Sequence, residues 1–537
     1  YYVSSFLSWE ISMKKWISYK PELQNKNFDV IIIGSGMSGL TTAVLLAQNN
    51  YKVLVLEKHF KVGGFTHTFK RNQYEWDVGI HYIGEVHNKK SHTRKLFDKI
   101  TGGKLEWSKM DNNYDRIIFP DQSYDFIAPK ENFIKKLCEY FPEEKSAINN
   151  YISILNVQSK NSKKFFASKL LPKWLYLLVG RKMTKNFFKN SDKTTSKALD
   201  EITNNKKLQS VLTGQWGDYG LPPKRSSFAM HAMVARHYLD GANYPIGGSR
   251  MIGEYATDLL ESLGGKVVVN ADVSEIIVKN NKAIGVKLEN GNELMAKKVV
   301  SSAGVVNTIN TFLRNYSKSK EKKLQLNKVQ PTESYVCLYI GLNKTAEELN
   351  LKTTNLWIYP GYDHDQNVIN YQSDPNGEFP VVYISFPSAK DPDWNKNHPG
   401  CATMEAITLG RWDWYKEWEQ KPWKKRGESY EKFKESISNK ILDVVYKNVP
   451  QIKNAMDYYE LSTPLSVRDM AHYPQGEMYG LDHTSKRFRQ DWLRPKSGIK
   501  NLFVTGQDIT TVGLTSALFS GLLTASAITN KNLMKSI

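Results

Sequence analysis

Residues 29–57 constrain the fold more than any other stretch of the chain. Val30-Ile31-Ile32-Ile33 is a β-branched run of the kind a strand buried on both faces of a parallel sheet requires. Gly34-Ser35-Gly36-Met37-Ser38-Gly39 follows, then Leu40 to Gln48 with helical composition. After a break at Asn49-Asn50, Val53-Leu54-Val55-Leu56 forms a second strand that ends at Glu57. Each part has a physical task in holding a dinucleotide. Gly34 permits the tight turn, Gly36 lets backbone approach a pyrophosphate, and Gly39 lets helix and strand pack closely. The helix start, with Met37 and Ser38 in its first turn, offers unpaired N–H groups to that pyrophosphate, and Ser35 belongs to the same cradle. Glu57 stands at the strand end, where an acid accepts hydrogen bonds from ribose hydroxyls.

The expected fold class is therefore α/β, a Rossmann-like FAD-binding domain with an interleaved α+β substrate domain. At 537 residues the chain exceeds what one core supports. FAD is favoured over NAD because Gly63-Gly64 lies just past Glu57, where several FAD families use a second glycine pair, and because no second strand–GxGxxG–helix unit follows. Near the C-terminus, Leu502 to Asp508 reads as a strand and turn carrying an acid, followed by Gly513 and the small, apolar series Ala517 to Ile528. Between these ends, Gly265 to Gly304 reads as short strands, with hairpin turns at Asn280-Asn281 and Asn290-Gly291. The expected FAD-binding domain comprises 27–110, 241–305 and 495–537; the substrate domain comprises 111–240 and 306–494; and 1–26 forms an amphipathic N-terminal arm.

Several segments narrow the resemblance. Trp76-Asp77-Val78-Gly79-Ile80-His81-Tyr82-Ile83-Gly84, Pro387-Ser388-Ala389-Lys390-Asp391-Pro392, Thr463-Pro464-Leu465, Tyr479-Gly480-Leu481-Asp482-His483 and Thr505-Gly506-Gln507-Asp508 are similar to the retinol saturase (all-trans-retinol 13,14-reductase) branch of the phytoene desaturase and carotenoid isomerase superfamily. The resemblance runs from about Asp29 to Ile528. It implies an FAD-dependent oxidoreductase acting on CH–CH groups. It also implies cofactor contacts at Lys58, Gly63, Gly64, Gly506, Asp508, Gly513 and Leu514, and an adenine contact through the backbone of Val273. Phe65 departs from the desaturase and amine oxidase pattern, in which arginine often follows the glycine pair.

Saturating a conjugated C=C bond takes a hydride from reduced flavin and a proton at the neighbouring carbon. His67, His81, Tyr82, Tyr479 and His483 are candidate acids, since imidazole and phenol can perform acid catalysis. His81, Tyr82 and Tyr479 are the catalytic candidates, with His81 first because it follows the glycine-rich stretch. The expected substrate is a hydrophobic polyene lipid of the retinol, carotenoid or polyunsaturated fatty acid class. A carotenoid desaturase, a redox-neutral isomerase and a non-catalytic lipid carrier are the competing readings. The external electron donor stays open, with NAD or NADP as candidates. No metal site is expected, for Cys138, Cys337 and Cys401 lie far apart without ligand spacing. No nucleophile elbow or Walker loop supports a hydrolase or kinase.

The net charge of +20 is unevenly placed. Lys160 to Lys197 holds eleven Lys/Arg and one acid, interleaved with Phe165, Phe166, Trp174, Leu177, Leu178 and Phe187. Such a mixture suits an anionic membrane surface, with Lys163, Lys164, Lys169 and Lys173 as headgroup contacts, and a solvated lysine-rich face is its plainer alternative. No motif accompanies the charge that would indicate nucleic acid. No apolar run spans a bilayer. Tyr1 to Lys20 reads as an arm that lies on a membrane rather than as a signal peptide. The sequence opens on Tyr1 rather than methionine, so a start upstream is expected. The expected localisation is peripheral membrane association on the cytoplasmic face.

Overall fold

A computed structural model describes residues 16–537. Two seven-stranded sheets organise them. In the first, Phe28–Ile33 runs parallel between Val53–Leu56 and Glu293–Ser301, with Lys266–Val268 parallel outside Val53–Leu56. Val30, Ile31 and Ile32 are fully buried, which explains why the strand carries no polar alternation. Leu502–Val504 returns from the far end of the sequence to pair with the inner end of Glu293–Ser301. The hairpin Val273–Lys279/Lys282–Leu288 extends the sheet antiparallel, and Asn280 and Asn281 both take the left-handed conformation that a tight hairpin turn demands. The expected short strand at Val299-Val300 is in fact nine residues long, because its outer half pairs with this hairpin and its inner half with the parallel core.

The second sheet is ordered Met456–Ser462, Tyr335–Leu342, Ala402–Leu409, Val382–Ser385, Asn355–Ile358, Asn113–Ile118 and Ser123–Ile127. Its pairings are antiparallel except that Asn355–Ile358 runs parallel to Asn113–Ile118. Fold class is thus the expected α/β arrangement with an interleaved α+β layer. Helices Met37–Ala47 and Leu514–Thr529 pack on each other against the first sheet.

The N-terminal arm differs from expectation where it is described. Tyr19 N–H donates to Val269 O and Val269 N–H to Ile17 O, so this stretch lengthens the edge of the first sheet. Leu23 is buried beneath it, and Trp16 and Tyr19 pack on protein rather than facing outward as a free amphipathic face. Residues 1–15 of the arm lie outside the described residues.

The basic window divides in two. Lys145–Ser168 and Arg181–Ser191 form a helical hairpin whose inner faces bury Phe165, Phe187 and Phe188, with Phe165 stacked on Phe187 at 4.0 Å. Lys169, expected as a headgroup contact, turns inward and donates to the main-chain oxygens of Leu493 and Ile509 at 2.7 and 2.8 Å. Its ammonium finds two carbonyls there and stacks near the Phe165 ring. The hairpin tip is the other half: Trp174 is 65% exposed and Leu178 70%, beside exposed Leu177 and Val179. Among the described residues no helix is long and apolar enough to cross a membrane.

Candidate active site

The cofactor cradle is built where Phe28–Ile33 gives way to Met37–Ala47. Gly34 has φ +94°, which turns the chain sharply, and a Cβ on Gly39 would lie 2.3 Å from Gly34 O. Only glycine at position 39 lets the helix start this close to the strand it leaves. Gly36 caps the helix without any side-chain hydrogen bond, and a Cβ there would meet nothing within 4 Å. Gly513 caps Leu514–Thr529 in the same way, uncapped and with open space where a Cβ would sit. Two helix N-termini thus present free N–H groups to one cavity of about 680 Å³, a combination that suits an anionic diphosphate and a polarised ring carbonyl.

Glu57 stands across this cradle. Its Oε2 accepts from Ser35 N–H at 2.8 Å and from Ser35 Oγ–H at 2.6 Å, and its Oε1 accepts from His59 N–H. These bonds orient the carboxylate, and Glu57 lines the cavity. Glu57→Gln should weaken FAD binding by roughly 1.5–3 kcal/mol, about tenfold to a hundredfold in Kd, because one amide nitrogen cannot accept these bonds. Fluorescence titration of the apoprotein with FAD checks this.

Most sequence-derived cofactor positions come together on this cavity: Gly34, Gly36, Met37, Ser38, Lys58, Gly63, Gly64, Val273, Gly506, Asp508, Gly513 and Leu514 all line it with Glu57. Ser35 and Gly39 stand behind the wall, the first as the support of Glu57 and the second as the helix contact. Lys58 pairs with Asp272 at 2.9 Å. Asp508, a cofactor contact by resemblance, lines the cavity and also holds its wall together. Its Oδ2 accepts from Val305 N–H at 2.8 Å and its Oδ1 from Leu481 N–H at 3.0 Å, so the carboxylate ties three loops of the cavity wall together.

From the cradle the cavity continues onto the second sheet, where Tyr335, Cys337, Tyr339 and Ile407 form an apolar and aromatic wall. The pairings Cys337↔Ile407 and Tyr339↔Glu405 put these residues on one face of the sheet. Phe65 lines the cavity and stacks on Tyr473 at 5.7 Å, in place of the arginine other families carry.

The acid candidates scatter. Tyr479 lines the cavity, edge-on to Tyr335. His67 also lines it, but burial pushes its pKa down to about 4 and its Nδ1 is engaged with Gly64 O, so it is a neutral ring there. Tyr82 is not on the wall: its hydroxyl bonds Asp218 Oδ2 at 2.8 Å and Asp115 Oδ2 at 3.2 Å, and its ring stacks on Tyr238. His483 is fully buried away from the cavity, with neither ring nitrogen bonded. His81 follows Gly79 and Ile80, which do line the cavity, but its own ring turns to the second sheet. There Nδ1 lies 2.7 Å from Glu405 Oε2. Burial and the nearby Lys390 ammonium push the His81 pKa down to about 3, so it is uncharged at neutral pH.

Behind His81 lies a set of charged groups that the sequence analysis left without a role. Lys390, 2% exposed, donates to His81 O at 2.9 Å, Asn355 Oδ1 at 2.5 Å and Ser385 Oγ at 2.7 Å. Asn355 donates onward to Asp115 Oδ1 at 2.9 Å, and Asp115 Oδ2 accepts from Gln215 and Tyr82. Asp77 accepts from Ser249 N–H, Ser249 Oγ–H and Tyr244 O–H. Burial lowers the Lys390 pKa to about 7 and raises those of Asp77 and Asp115 to about 6. Two signals were available in the sequence: Lys390 sits in a segment already singled out, and Glu405 is the lone acid in the apolar run Ala402–Leu409. Among the described residues no cluster of ligating side chains could hold a metal ion.

The comparisons with known proteins agree with this geometry. Residues 37–529 match the family described as flavin containing amine oxidoreductase. The all-trans-retinol 13,14-reductase of Danio rerio is 35% identical over 95% of this chain and 87% of its own length. The 1-hydroxycarotenoid 3,4-desaturase of a Flavobacterium strain is 26% identical over 94% of this chain and 99% of its own. Among solved structures, a putrescine oxidase bound to putrescine superposes with a TM-score of 0.60 at 14% identity, covering 94% of this chain and 100% of that one, a likeness of fold.

Proposed function

The chain belongs to the flavin-containing amine oxidoreductase family and, within it, to the retinol saturase branch, and on that premise we propose that it saturates one conjugated C=C bond of a retinoid-type polyene. Its cofactor is FAD. The observation that carries the proposal is one continuous cavity, which begins between two uncapped helix N-termini and ends on the apolar wall of Tyr335, Cys337, Tyr339 and Ile407. A long apolar substrate would fit that wall, and the glycine cradle would hold the cofactor's diphosphate.

When bound, the flavin supplies hydride chemistry at carbon. The chain supplies the rest. Ser35 and Glu57 would hold the ribose end, Asp508 ties together loops of the cavity wall, and the aromatic wall would exclude water from the reacting carbons. Tyr479, on the wall, and His81, one residue past it, are the groups from which a proton reaches carbon. Anaerobic incubation of dithionite-reduced holoenzyme with all-trans-retinol, a carotenoid and a polyunsaturated fatty acid, read by mass, tests the proposal. A gain of two hydrogens on retinol is expected. Loss of two hydrogens, or an unchanged mass with altered retention, would make the chain a desaturase or an isomerase.

The polyene is nearly insoluble in water, and the reading extends to where it is collected. Trp174, Leu177, Leu178 and Val179 stand exposed at the hairpin tip, flanked by exposed Lys163, Lys164, Arg181, Lys182 and Lys185. Exposed apolar side chains in a stretch rich in exposed cations suit insertion into an anionic leaflet, such as the cytoplasmic face presents. At its base Lys169 joins the tip to Ile509 O, one residue from the cavity-lining Asp508. Replacing Trp174, Leu177 and Leu178 with serine should reduce sedimentation with phosphatidylserine vesicles by about tenfold or more while leaving the flavin spectrum intact. Undiminished sedimentation would return the tip to an ordinary solvated surface.

A further inference from the structure

Four buried or half-buried carboxyls share one network with a single buried ammonium: Asp77, Glu405 and Asp115 face Lys390, and Asp218 joins Asp115 through the Tyr82 hydroxyl. In a water-poor interior that set cannot be fully ionised, since three negative charges would stay uncompensated. Hydrogen bonding decides which members give up charge. Asp77 and Asp115 each accept three donors and are the natural anions. Glu405 is 0% exposed, neither oxygen makes a well-formed hydrogen bond, and its carboxyl faces the Asp77 main-chain N–H and, at 2.7 Å, His81 Nδ1.

We propose that Glu405 is a positioning residue that stores the proton for C=C saturation and passes it through His81. The proposal rests on the saturase reading above. A neutral imidazole is a very weak acid unless a proton arrives at one nitrogen as another leaves from the second. The Glu405–His81 contact provides that arrangement. The proton on Glu405 Oε2 moves to His81 Nδ1, and the Nε2 proton moves to the carbon next to the one that receives hydride. One O–H bond and one N–H bond break, while one N–H and one C–H bond form. Glu405 is left as a carboxylate facing the Lys390 ammonium, and His81 returns to neutrality as the other tautomer. His81 Nδ1 is itself buried, so the 14% of the side chain that stays accessible belongs to the rest of the ring. Burial pushes the Glu405 pKa up to about 8, against the opposing pull of Lys390, so the store is filled at neutral pH. The groups facing Glu405 are Asp77, His81, Tyr244, Cys337, Tyr339 and Lys390, and of these Lys390 alone carries positive charge.

The test uses holoenzyme and the variants E405Q, H81Q and E405Q/H81Q. Anaerobically reduced protein is mixed with all-trans-retinol from pH 6 to 9, and flavin reoxidation is followed. The wild-type rate should fall as pH passes about 8, where Glu405 loses its proton. E405Q should be slower by about tenfold or more and should lack that limb, and the double variant should be no slower than the slower single variant. A second readout needs no substrate. The folded carboxyl keeps its proton up to about 8, whereas the unfolded chain releases it near 4.5. Glu405 therefore favours folding at low pH and loses that contribution as pH rises. The Tm of E405Q minus that of wild type should increase steadily from pH 5 to 8. E405Q that reacts like wild type at every pH, or a Tm difference that is flat with pH, overturns the proposal. Wild-type holoenzyme that ignores retinol but shows the rising Tm difference defeats the saturase reading instead and leaves the proton store standing. If E405Q fails to hold flavin, E405D replaces it: the shortened carboxyl must lose its reach to Nδ1 and slow reoxidation to the same extent, and an unchanged rate overturns the proposal.

Discussion

Gly39→Ala will yield protein that retains little FAD, with Kd raised by more than about tenfold and stability lowered by roughly 1–3 kcal/mol, the usual cost of forcing a methyl into a packed site. The added Cβ would lie 2.3 Å from Gly34 O and 3.2 Å from Ser302 Oγ. Both neighbours belong to structure that cannot yield cheaply. Gly34 is the sharp turn at φ +94°, and Ser302 follows the inner end of Glu293–Ser301, its N–H bonded to Ile33 O. The first turn of Met37–Ala47 must therefore move outward, carrying with it the free N–H groups that would meet the diphosphate. Because that helix is buried along its whole length, a shift is felt across its packing on Leu514–Thr529. Flavin content by absorbance and Tm on the same preparation check the result. Full flavin content with an unchanged Tm would show that the helix does not meet the diphosphate at this turn.

Lys390→Met should destabilise the protein by about 3–5 kcal/mol near neutral pH, the range for removing one partner from a buried charged set. Methionine fills most of the space but leaves His81 O, Asn355 Oδ1 and Ser385 Oγ without their shared donor. It also removes the one cation facing Asp77, Asp115 and Glu405. Those carboxyls would then hold their protons to still higher pH in the folded state. Groups with raised folded pKa values favour folding at low pH and lose that contribution as pH rises. The deficit of the variant should therefore be smallest near pH 5 and should grow toward pH 8. Urea unfolding at both pH values measures it, and an equal deficit at the two would mean that only the hydrogen bonds, not the charge, were lost.

The cofactor half of the site was legible because its rules are local. The strand, turn, helix and terminal acid at 29–57 are contiguous, and each residue's task depends on neighbours a few positions away. Gly506, Asp508, Gly513 and Leu514 were reachable through resemblance, and all four line the same cavity as Glu57. The loop-tying contacts of Asp508 were not legible, since its partners Val305 and Leu481 are remote in sequence. The basic window was only partly legible for a related reason. Charge and aromatic content averaged over Lys160 to Lys197 cannot separate the buried Phe165, Phe187 and inward Lys169 from the exposed Trp174 and Leu178. That distinction arises only when the hairpin folds against residues 488–510.

By itself, then, the sequence determined the dinucleotide cradle, the parallel strands around it and the chemistry a flavin brings, because backbone turns and helix ends are set by short-range sterics. Only the tertiary structure decided where protons and charges reside. His81, Glu405, Lys390, Asn355 and Asp115 come from five separated segments and meet only across the second sheet. Whether each is charged follows from burial and from its partners. A carboxyl in water ionises whatever its sequence neighbours are. The same group at 0% exposure and 2.7 Å from an imidazole is pushed by burial toward its protonated form.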